Sequence, residues 1–534
     1  MATSTSTSTD PEIMQRSYAT IKKSGKLYLF LLLSIIPGFC FSSITLHVIK
    51  IGARDSTRCK IRSFENTSWS FEEIQKITQF VGVHQECFIY NYDYNKIANI
   101  TFKEAKSVVG KEHANSTRVM CTEFVTGNNT NNFPPTYPQE ISSYCQSLNY
   151  DALYDLAALI PYIVSCLFLV PFADVYGRKR ILSIGCYLAY IAVFAKIILL
   201  DFTREAIGEA VLYFAYPALK YTTEALILEI TGDSLRPFAF VLTYTGLFIP
   251  PALAPIFPSV YWKYTQLIAY STVLLLPPLA WYVPEPPLWF VSKNRKKAAQ
   301  IAARTLTHSP DHNDTLLLFR NKKTSSQDIK DHLKKLNSLH LIEITSIFGV
   351  SLCVGFLSFY PYSKHKLMLY NFDNCWITFL SCISGAFAII LSLGCVYLMN
   401  AVKFLLALLL CVNGVLFAFL SKFDSENLNQ TSTVIFLICA IEVTTNVTKV
   451  VFEFYLQEIF PTSHRCICTA VCGAIMNSAL IGLIEIRVLN IFGSEILTSV
   501  SSFVGCIIAL LAIKKLDRIS SLVVNFKNVD STQE

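Results

Sequence analysis

Long apolar runs, separated by short polar breaks, set the pattern of this chain. A helix needs about 20 apolar residues to cross a bilayer core of about 30 Å. Only 16% of the residues are charged and 52% are hydrophobic, which is unlike a soluble protein of this length. The pattern predicts an all-α membrane protein with twelve spans, at residues 27–49, 152–172, 181–200, 206–228, 237–257, 264–283, 341–360, 374–398, 401–420, 433–456, 467–489 and 498–514.

Two long polar breaks divide the spans into groups. A large loop follows span 1, and a shorter charged segment separates spans 2–6 from spans 7–12. Six spans on each side of that segment indicate two halves of similar build. The predicted organisation is a tail (1–26), span 1 (27–49), a large loop (50–151), spans 2–6 (152–287), a polar segment (288–338), spans 7–12 (339–514) and a tail (515–534).

The basic residues fall on one side of the membrane if the spans alternate. Arg178, Lys179 and Arg180 lie between spans 2 and 3, and further lysines flank the 6–7 connection and both tails. By the positive-inside rule that side is cytoplasmic, so both termini are predicted to be cytoplasmic. The formal charge of +7 is therefore a topology signal. Nucleic-acid binding is not expected, because no basic patch interleaved with aromatic residues lies on a soluble domain.

The loop at 50–151 is then predicted to be extracellular. Glycosylation acceptors and an even number of cysteines both suit an oxidising compartment outside the cytoplasm. The acceptors are Asn66, Asn99, Asn115 and Asn128, with Asn429 in the 9–10 connection. Two disulfides are predicted, in one of three pairings, among Cys59, Cys87, Cys121 and Cys145.

One charged motif occurs in both halves. Residues 220–236 read KYTTEALILEITGDSLR and residues 449–465 read KVVFEFYLQEIFPTSHR. Both follow K-x3-E-x4-E-x6-R without a gap, at the ends of spans 4 and 10, which are equivalent spans in a six-plus-six protein. A match at four charged positions in equivalent places indicates an internal repeat rather than coincidence.

Several short stretches carry a family resemblance. The stretch FADVYGRKRI (172–181), with its D-x-x-G-R-K-R, resembles the signature loop of the major facilitator superfamily. LEITGDSLR (228–236), YWKYTQL (261–267), VPEPPLWFVS (283–292) and QEIFPTSHR (457–465) are similar to the organic cation/anion transporter family within it. The resemblance implies the major facilitator fold with a large extracellular loop after helix 1, and multi-pass insertion in the plasma membrane.

The resemblance also implies a set of gating residues. In that family the signature loop makes contacts that break and reform as two rigid halves rock. Asp174 is then expected to meet a partner arginine or a helix N-terminus, and Gly177 to permit a tight turn. The implied gating set is Asp174, Gly177, Arg178, Lys179, Arg180, Glu229, Arg236, Glu458 and Arg465. A plain topology anchor is the other interpretation of the loop.

Charges within spans are the candidates for the substrate pathway, because they are costly in lipid. These are Lys220, Glu224, Lys449, Glu453 and Glu442, joined by Asn477 at a position that is basic in anion-carrying relatives. We expect Lys220 and Lys449 to face each other across a central cavity and slightly to favour anionic or zwitterionic substrates. Neutral pairs with the glutamate four residues on, without a substrate role, are the open alternative.

The expected function is transport of small organic ions by alternating access. The sequence contains no nucleophile–base arrangement, phosphate loop or metal-ligand spacing, so neither enzyme activity nor a cofactor is expected. A sugar or nutrient carrier of the same superfamily is one alternative. A binding or scaffold protein that does not transport is the other. The stretch MNAVK (399–403) favours it, because this second-half counterpart of the signature loop has lost most of the signature residues.

Overall fold

The structure is a computed structural model of the 534-residue chain. It describes residues 31–51, 57–64, 69–78, 88–105, 109, 118–120, 124–126, 149–198, 202–231, 235–253, 262–293, 295, 297–299, 301–302, 341–357, 375–397, 402–422, 431–460, 462–489 and 494–512. Statements about absent contacts below refer to these residues.

Helices account for most of the first half. One of the breaks between them lies at Gly177. This glycine has φ +116°, a left-handed conformation that separates two helices. The helices are α1 (Ile36–Ile51), α2 (Phe71–Thr78) and α3 (Tyr94–Ala98) around the large loop, then α4 (Asn149–Phe168), α5 (Phe172–Tyr176), α6 (Arg178–Ile198), α7 (Phe202–Ile230), α8 (Arg236–Leu253), α9 (Trp262–Ser271), α10 (Leu276–Tyr282) and α11 (Pro287–Ser292).

The second half is also helical, and its motif helix has the same boundaries relative to the motif as that of the first half. Its helices are α12 (Leu341–Leu357), α13 (Cys375–Tyr397), α14 (Val402–Leu420), α15 (Thr431–Ile459), α16 (Arg465–Leu489) and α17 (Ser494–Ala512). The two copies of the charged motif lie in α7 and α15, which are both 29 residues long. Each of these helices ends one residue after the second motif glutamate, and the motif arginine begins the next helix.

Helical structure is present in each of the twelve predicted runs. Within the described residues, three stretches are long and apolar enough to cross a membrane by length and composition: Ala158–Tyr176, Arg178–Ile197 and Thr433–Ile459. Shorter apolar helical stretches accompany them, such as Phe404–Leu420 and Arg465–Ile481. The number of twelve crossings therefore stays a prediction.

Residues of the large loop belong to a separate compact unit, Ile44–Asp151 with Ile256–Ala269. Short strands form two antiparallel ladders, β1 (Thr57–Cys59) with β4 (Phe124–Thr126) and β2 (Phe88–Tyr90) with β3 (Arg118–Met120). A small core of aliphatic side chains and Phe64 supports them. This part of the chain is not purely helical, which modifies the all-α expectation.

The predicted disulfides and glycosylation acceptors lie in this unit, apart from Asn429. Cys59, in β1, is disulfide-bonded. Asn99 is exposed at the end of α3, where its side-chain amide donates to the carbonyl of Asn95. The other predicted positions lie outside the described residues, so the pairing and the glycosylation stay predictions; they are Cys87, Cys121, Cys145, Asn66, Asn115, Asn128 and Asn429.

The two halves of the chain, before and after the segment at 288–338, meet along a few helices. α7 packs on α15 and α16, α5 packs on α16, and α8 packs on α13 and α15. One buried cluster joins tyrosines of α4 and α7 to small side chains of α16: Tyr162, Tyr216 and Tyr221 with Cys466, Ala470 and Ala474. These helices bring the repeated charges to the interface between the halves.

Candidate functional site

Asp174 of the signature loop caps a helix of the other half. Its carboxylate accepts the backbone N–H of Ile467 at 2.8 Å and that of Cys466 at 3.4 Å. Both N–H groups belong to the first turn of α16, where they have no partner within the helix and where the helix dipole is positive. Asp174 is only 3% exposed, so this contact between the halves is made away from water.

Arg178 connects the same interface by several bonds. Its Nη2 lies 3.0 Å from Asp174 and 3.1 Å from Glu229, and donates to the carbonyl of Thr462 at 2.5 Å. The side chain is fully buried. The sequence grouped it with Lys179 and Arg180 as a basic topology signal, but only Arg180 of the three is exposed. Arg178 is therefore part of the packed interface rather than a charge at the membrane surface.

The turn at Gly177 is held by residues that the sequence analysis did not select. The carboxylate of Glu285 accepts the backbone N–H groups of Arg178 and Lys179, the latter at 3.0 Å. A Cβ at Gly177 would lie 2.8 Å from that carboxylate. Burial raises the pKa of Glu285, and the two N–H donors act in the opposite direction.

Trp289 supports the same turn. Its indole N–H donates to the carbonyl of Asp174 at 3.2 Å, and its ring lies 5.9 Å from the Arg178 guanidinium carbon. The family-like stretch VPEPPLWFVS contains both Glu285 and Trp289, so it was the signal by which they could have been found.

Charged residues of one copy of the repeated motif form ion pairs with those of the other copy. Glu229 of α7 lies 3.3 Å from Arg465 at the start of α16. In the opposite sense, Arg236 at the start of α8 lies 3.9 Å from Glu458 of α15. Each glutamate thus pairs with the arginine of the other copy, as two-fold-related halves require.

A third exchanged pair lies deeper in the protein. The ammonium of Lys220 is 2.7 Å from Glu453, and both side chains are buried. Its separation from Glu224, the glutamate four residues on, is 4.0 Å. Lys220 therefore lies within ion-pair distance of both glutamates, and tertiary packing brings the glutamate of the opposite helix closer.

Tyrosines surround this central cluster. The Lys220 ammonium lies 5.1 Å and 5.6 Å from the ring centroids of Tyr221 and Tyr244. The hydroxyl of Tyr244 donates to Glu224 at 3.0 Å, and the amide of Gln457 donates to the other oxygen of Glu224 at 3.1 Å. Glu224 thus accepts hydrogen bonds from two neutral donors, and the Lys220 ammonium lies 4.0 Å away.

A cavity of about 20 Å³ adjoins the cluster between α1, α7 and α8. Lys220, Thr223, Glu224 and Tyr244 line it, and the buried hydroxyl of Thr223 has no hydrogen-bond partner among the described residues. The volume suits one water molecule. Pockets for drug-sized ligands measure about 300–1,000 Å³, so this cavity must enlarge before an organic molecule could occupy it.

Tyr221 also fits against a glycine of the other half. A Cβ at Gly473 of α16 would lie 2.7 Å from the Tyr221 ring carbon Cζ, and closer still to the hydroxyl. That hydroxyl lies 3.2 Å from the hydroxyl of Tyr162. The absence of a side chain at Gly473 is what permits this contact between the halves.

The remaining candidates lie apart from these contacts. Glu442 is half-buried in α15, and the amide of Asn477 donates to the carbonyl of Gly473 within its own helix. A further buried ion pair, which the sequence analysis did not select, joins Lys196 of α6 to Glu209 of α7. In the part of the chain that the structure describes, no three histidine, cysteine or acidic side chains are grouped closely enough to hold a metal ion.

Comparison with known proteins agrees with this architecture. The family described as Major Facilitator Superfamily matches residues 119–465. Among solved structures, the proton:xylose symporter XylE bound to 6-bromo-6-deoxy-D-glucose is similar with a TM-score of 0.53 and 13% identity, over 92% of this chain and 94% of that one. A partially occluded inward-open XylE from E. coli is similar with a TM-score of 0.52 and 14% identity, over 92% and 99%.

At these identities the structural likeness shows the fold alone. No curated protein matches the chain. The family match covers well over half of the sequence and includes the signature loop and both copies of the charged motif. The chain belongs to the major facilitator superfamily, whose members are multi-pass membrane transporters.

Proposed function

We propose that this transporter carries small organic ions across the plasma membrane by alternating access, in the manner of the organic cation/anion transporter family. The observation that carries the proposal is the exchange of charges between the halves, from the signature loop down to Lys220 and Glu453. Such pairs can form in one conformation and break in the other. Both termini and the segment at 288–338 are cytoplasmic in this proposal, and the loop at 50–151 is a glycosylated extracellular domain.

We infer that the contacts between the halves belong to a state closed on the cytoplasmic side. The ion pairs of Arg178 with Asp174 and Glu229 support this inference, because the loop that contains Arg178 is predicted to be cytoplasmic. Opening to the cytoplasm would remove Asp174 from the start of α16 and separate Glu229 from Arg465. In this proposal the contacts of the gating set break when the transporter opens to release its substrate into the cytoplasm.

The central cluster favours ions over sugars. Two lysines and two glutamates from α7 and α15 meet near the middle of the bundle, and charges within membrane spans mark substrate or ion pathways. The similar structures are sugar symporters, so a sugar carrier of the same superfamily remains the second candidate. A binding or scaffold protein without transport is the third.

One screen separates these candidates. The purified protein is reconstituted in vesicles with an imposed pH or ion gradient, and uptake of labelled organic anions, zwitterions, cations and sugars is measured against protein-free vesicles. Saturable uptake of an organic ion that excess unlabelled ion inhibits is the expected result. Uptake of sugars alone would favour the sugar carrier, and uptake of none would favour the scaffold.

A further inference from the structure

The two-fold repeat of charges predicts four exchanged pairs, and the structure forms three of them. Glu229 with Arg465 and Arg236 with Glu458 are related by the two-fold exchange of the halves. Lys220 with Glu453 should likewise be matched by Lys449 with Glu224. That fourth pair is not formed: within the described residues, the ammonium of Lys449 makes neither an ion pair nor a hydrogen bond.

The reason lies in two neutral donors that only one side possesses. Glu224 accepts hydrogen bonds from Tyr244 and Gln457 and lies 4.0 Å from the Lys220 ammonium, so its carboxylate has partners without Lys449. In the register of the repeat, the positions equivalent to Tyr244 and Gln457 in the other half are Gly473 and Leu228. Neither of these side chains can donate a hydrogen bond, so Glu453 depends on Lys220.

Lys449 is therefore the one charge of the four that is available to bind a ligand. It lies one helical turn before Glu453 and on the same face of α15, so it faces the interface between the halves. Its side chain is partly exposed, whereas that of Lys220 is only 8% exposed. It precedes the end of α15 by ten residues, or about 15 Å, which is near the middle of a ~30 Å core.

We propose that Lys449 binds the anionic group of the substrate, and that Lys220 and Glu453 form a positioning pair. This inference rests on the proposed function and makes it more specific. A lysine at this depth needs a counter-charge or water, and a substrate carboxylate supplies the charge that Glu224 does not. The charges of Lys220, Glu224, Lys449 and Glu453 sum to zero, so a bound zwitterion leaves the net charge of the site at zero. The carboxylate of an anionic substrate would bind to Lys449.

The test uses three probes with the same aromatic ring and different charges: benzoate, phenylalanine and benzyltrimethylammonium. Binding is measured as thermal stabilisation of the full-length purified protein, and uptake is measured in vesicles. Lys449→Gln removes the proposed anion site, Lys449→Arg preserves the positive charge, and Lys220→Gln breaks the positioning pair. Lys422→Gln is the matched control, because Lys422 is exposed in the turn after α14.

Lys449→Gln is expected to weaken binding and uptake of benzoate and phenylalanine by about 10- to 100-fold, since hydrogen bonds to charged groups contribute about 1.5–3 kcal/mol. Lys449→Arg should restore most of both. Lys449→Gln should leave the melting temperature of the ligand-free protein unchanged or raise it, whereas Lys220→Gln should lower it because Glu453 loses its ion-pair partner. Lys422→Gln should behave as wild type.

The inference is overturned if Lys449→Gln binds benzoate and phenylalanine as wild type does, or if the wild type responds to neither probe. It is also overturned if benzyltrimethylammonium is the one probe taken up, although organic-ion transport would then stand. If benzoate binds through Lys449 without entering vesicles, the inference stands and the proposed transport function is wrong.

Discussion

Replacing Gly473 by alanine should push the two halves apart where α16 contacts α7. The added methyl carbon would lie 2.7 Å from Cζ of Tyr221, whereas an ordinary contact begins near 3.4 Å. The tyrosine ring or α16 must therefore move by at least about 0.7 Å, and more at the hydroxyl. Both belong to the buried cluster that joins the halves, which leaves little room for a local adjustment.

The size of the effect follows from known costs of overpacking. Extra carbon atoms in a well-packed core cost about 1–3 kcal/mol. If the closed state bears that cost and the cytoplasm-open state does not, the ratio of the two populations shifts by about 5- to 150-fold. Alanine also favours helices over glycine by about 1 kcal/mol, but this gain applies to both states.

Hydrogen exchange measured by mass spectrometry can detect the shift. Backbone amides of Cys466 and Ile467, which Asp174 holds in the closed state, should exchange faster in Gly473→Ala than in the wild type. Gly394→Ala is the matched control, because a methyl group there meets no atom within 4 Å. Adding Tyr221→Leu to Gly473→Ala should slow exchange again by removing the clashing ring.

Wild-type exchange at these amides in Gly473→Ala would refute the reasoning, because the contact would then not constrain the closed state. Equal acceleration in Gly394→Ala would also refute it. In that case the effect would come from helix propensity rather than from the contact between the halves.

Other substitutions test the gate and the large loop. Asp174→Asn should leave surface expression nearly intact but impair uptake, because the loss of charge-assisted bonds costs about 1.5–3 kcal/mol; unchanged uptake at equal surface level would exclude a gating role. Glu229→Gln should lower the melting temperature and uptake far more than Glu458→Gln, because Glu229 is fully buried between two arginines whereas Glu458 is 18% exposed. Equal effects of the two substitutions would contradict this ranking. Peptide mapping without reduction should find Cys59 in a disulfide, and a free Cys59 thiol in surface protein would contradict the extracellular assignment.

The sequence predicted the repeated charges and their places at helix ends, because apolar runs and a gapless motif can be recognised along a single chain. It did not predict which charges pair. Lys220 precedes Glu224 by one turn, and a sequence shows only such local neighbours. Glu453 is 233 residues away and becomes the closer partner only through the packing of α7 on α15.

The same limitation applies to the signature loop. Arg178, Lys179 and Arg180 are equivalent under a topology rule, which counts charges and does not see packing. The fold separates them, because the left-handed turn at Gly177 directs α6 so that Arg178 enters the interface and Arg180 faces outward. Glu285 was overlooked for a similar reason, since its role depends on a turn more than a hundred residues earlier.

The exchange of charges between the halves also affects the biosynthesis of the protein. Glu229 is synthesised 236 residues before its partner Arg465, and chains grow at about 5–20 residues per second. For roughly 10–50 s the first half therefore lies in the translocation machinery with buried carboxylates and lysines whose partners do not yet exist. During that interval the unpaired charges of the nascent chain depend on water, lipid headgroups or a chaperone as partners. The chain is then in its least stable form and most exposed to cellular quality control.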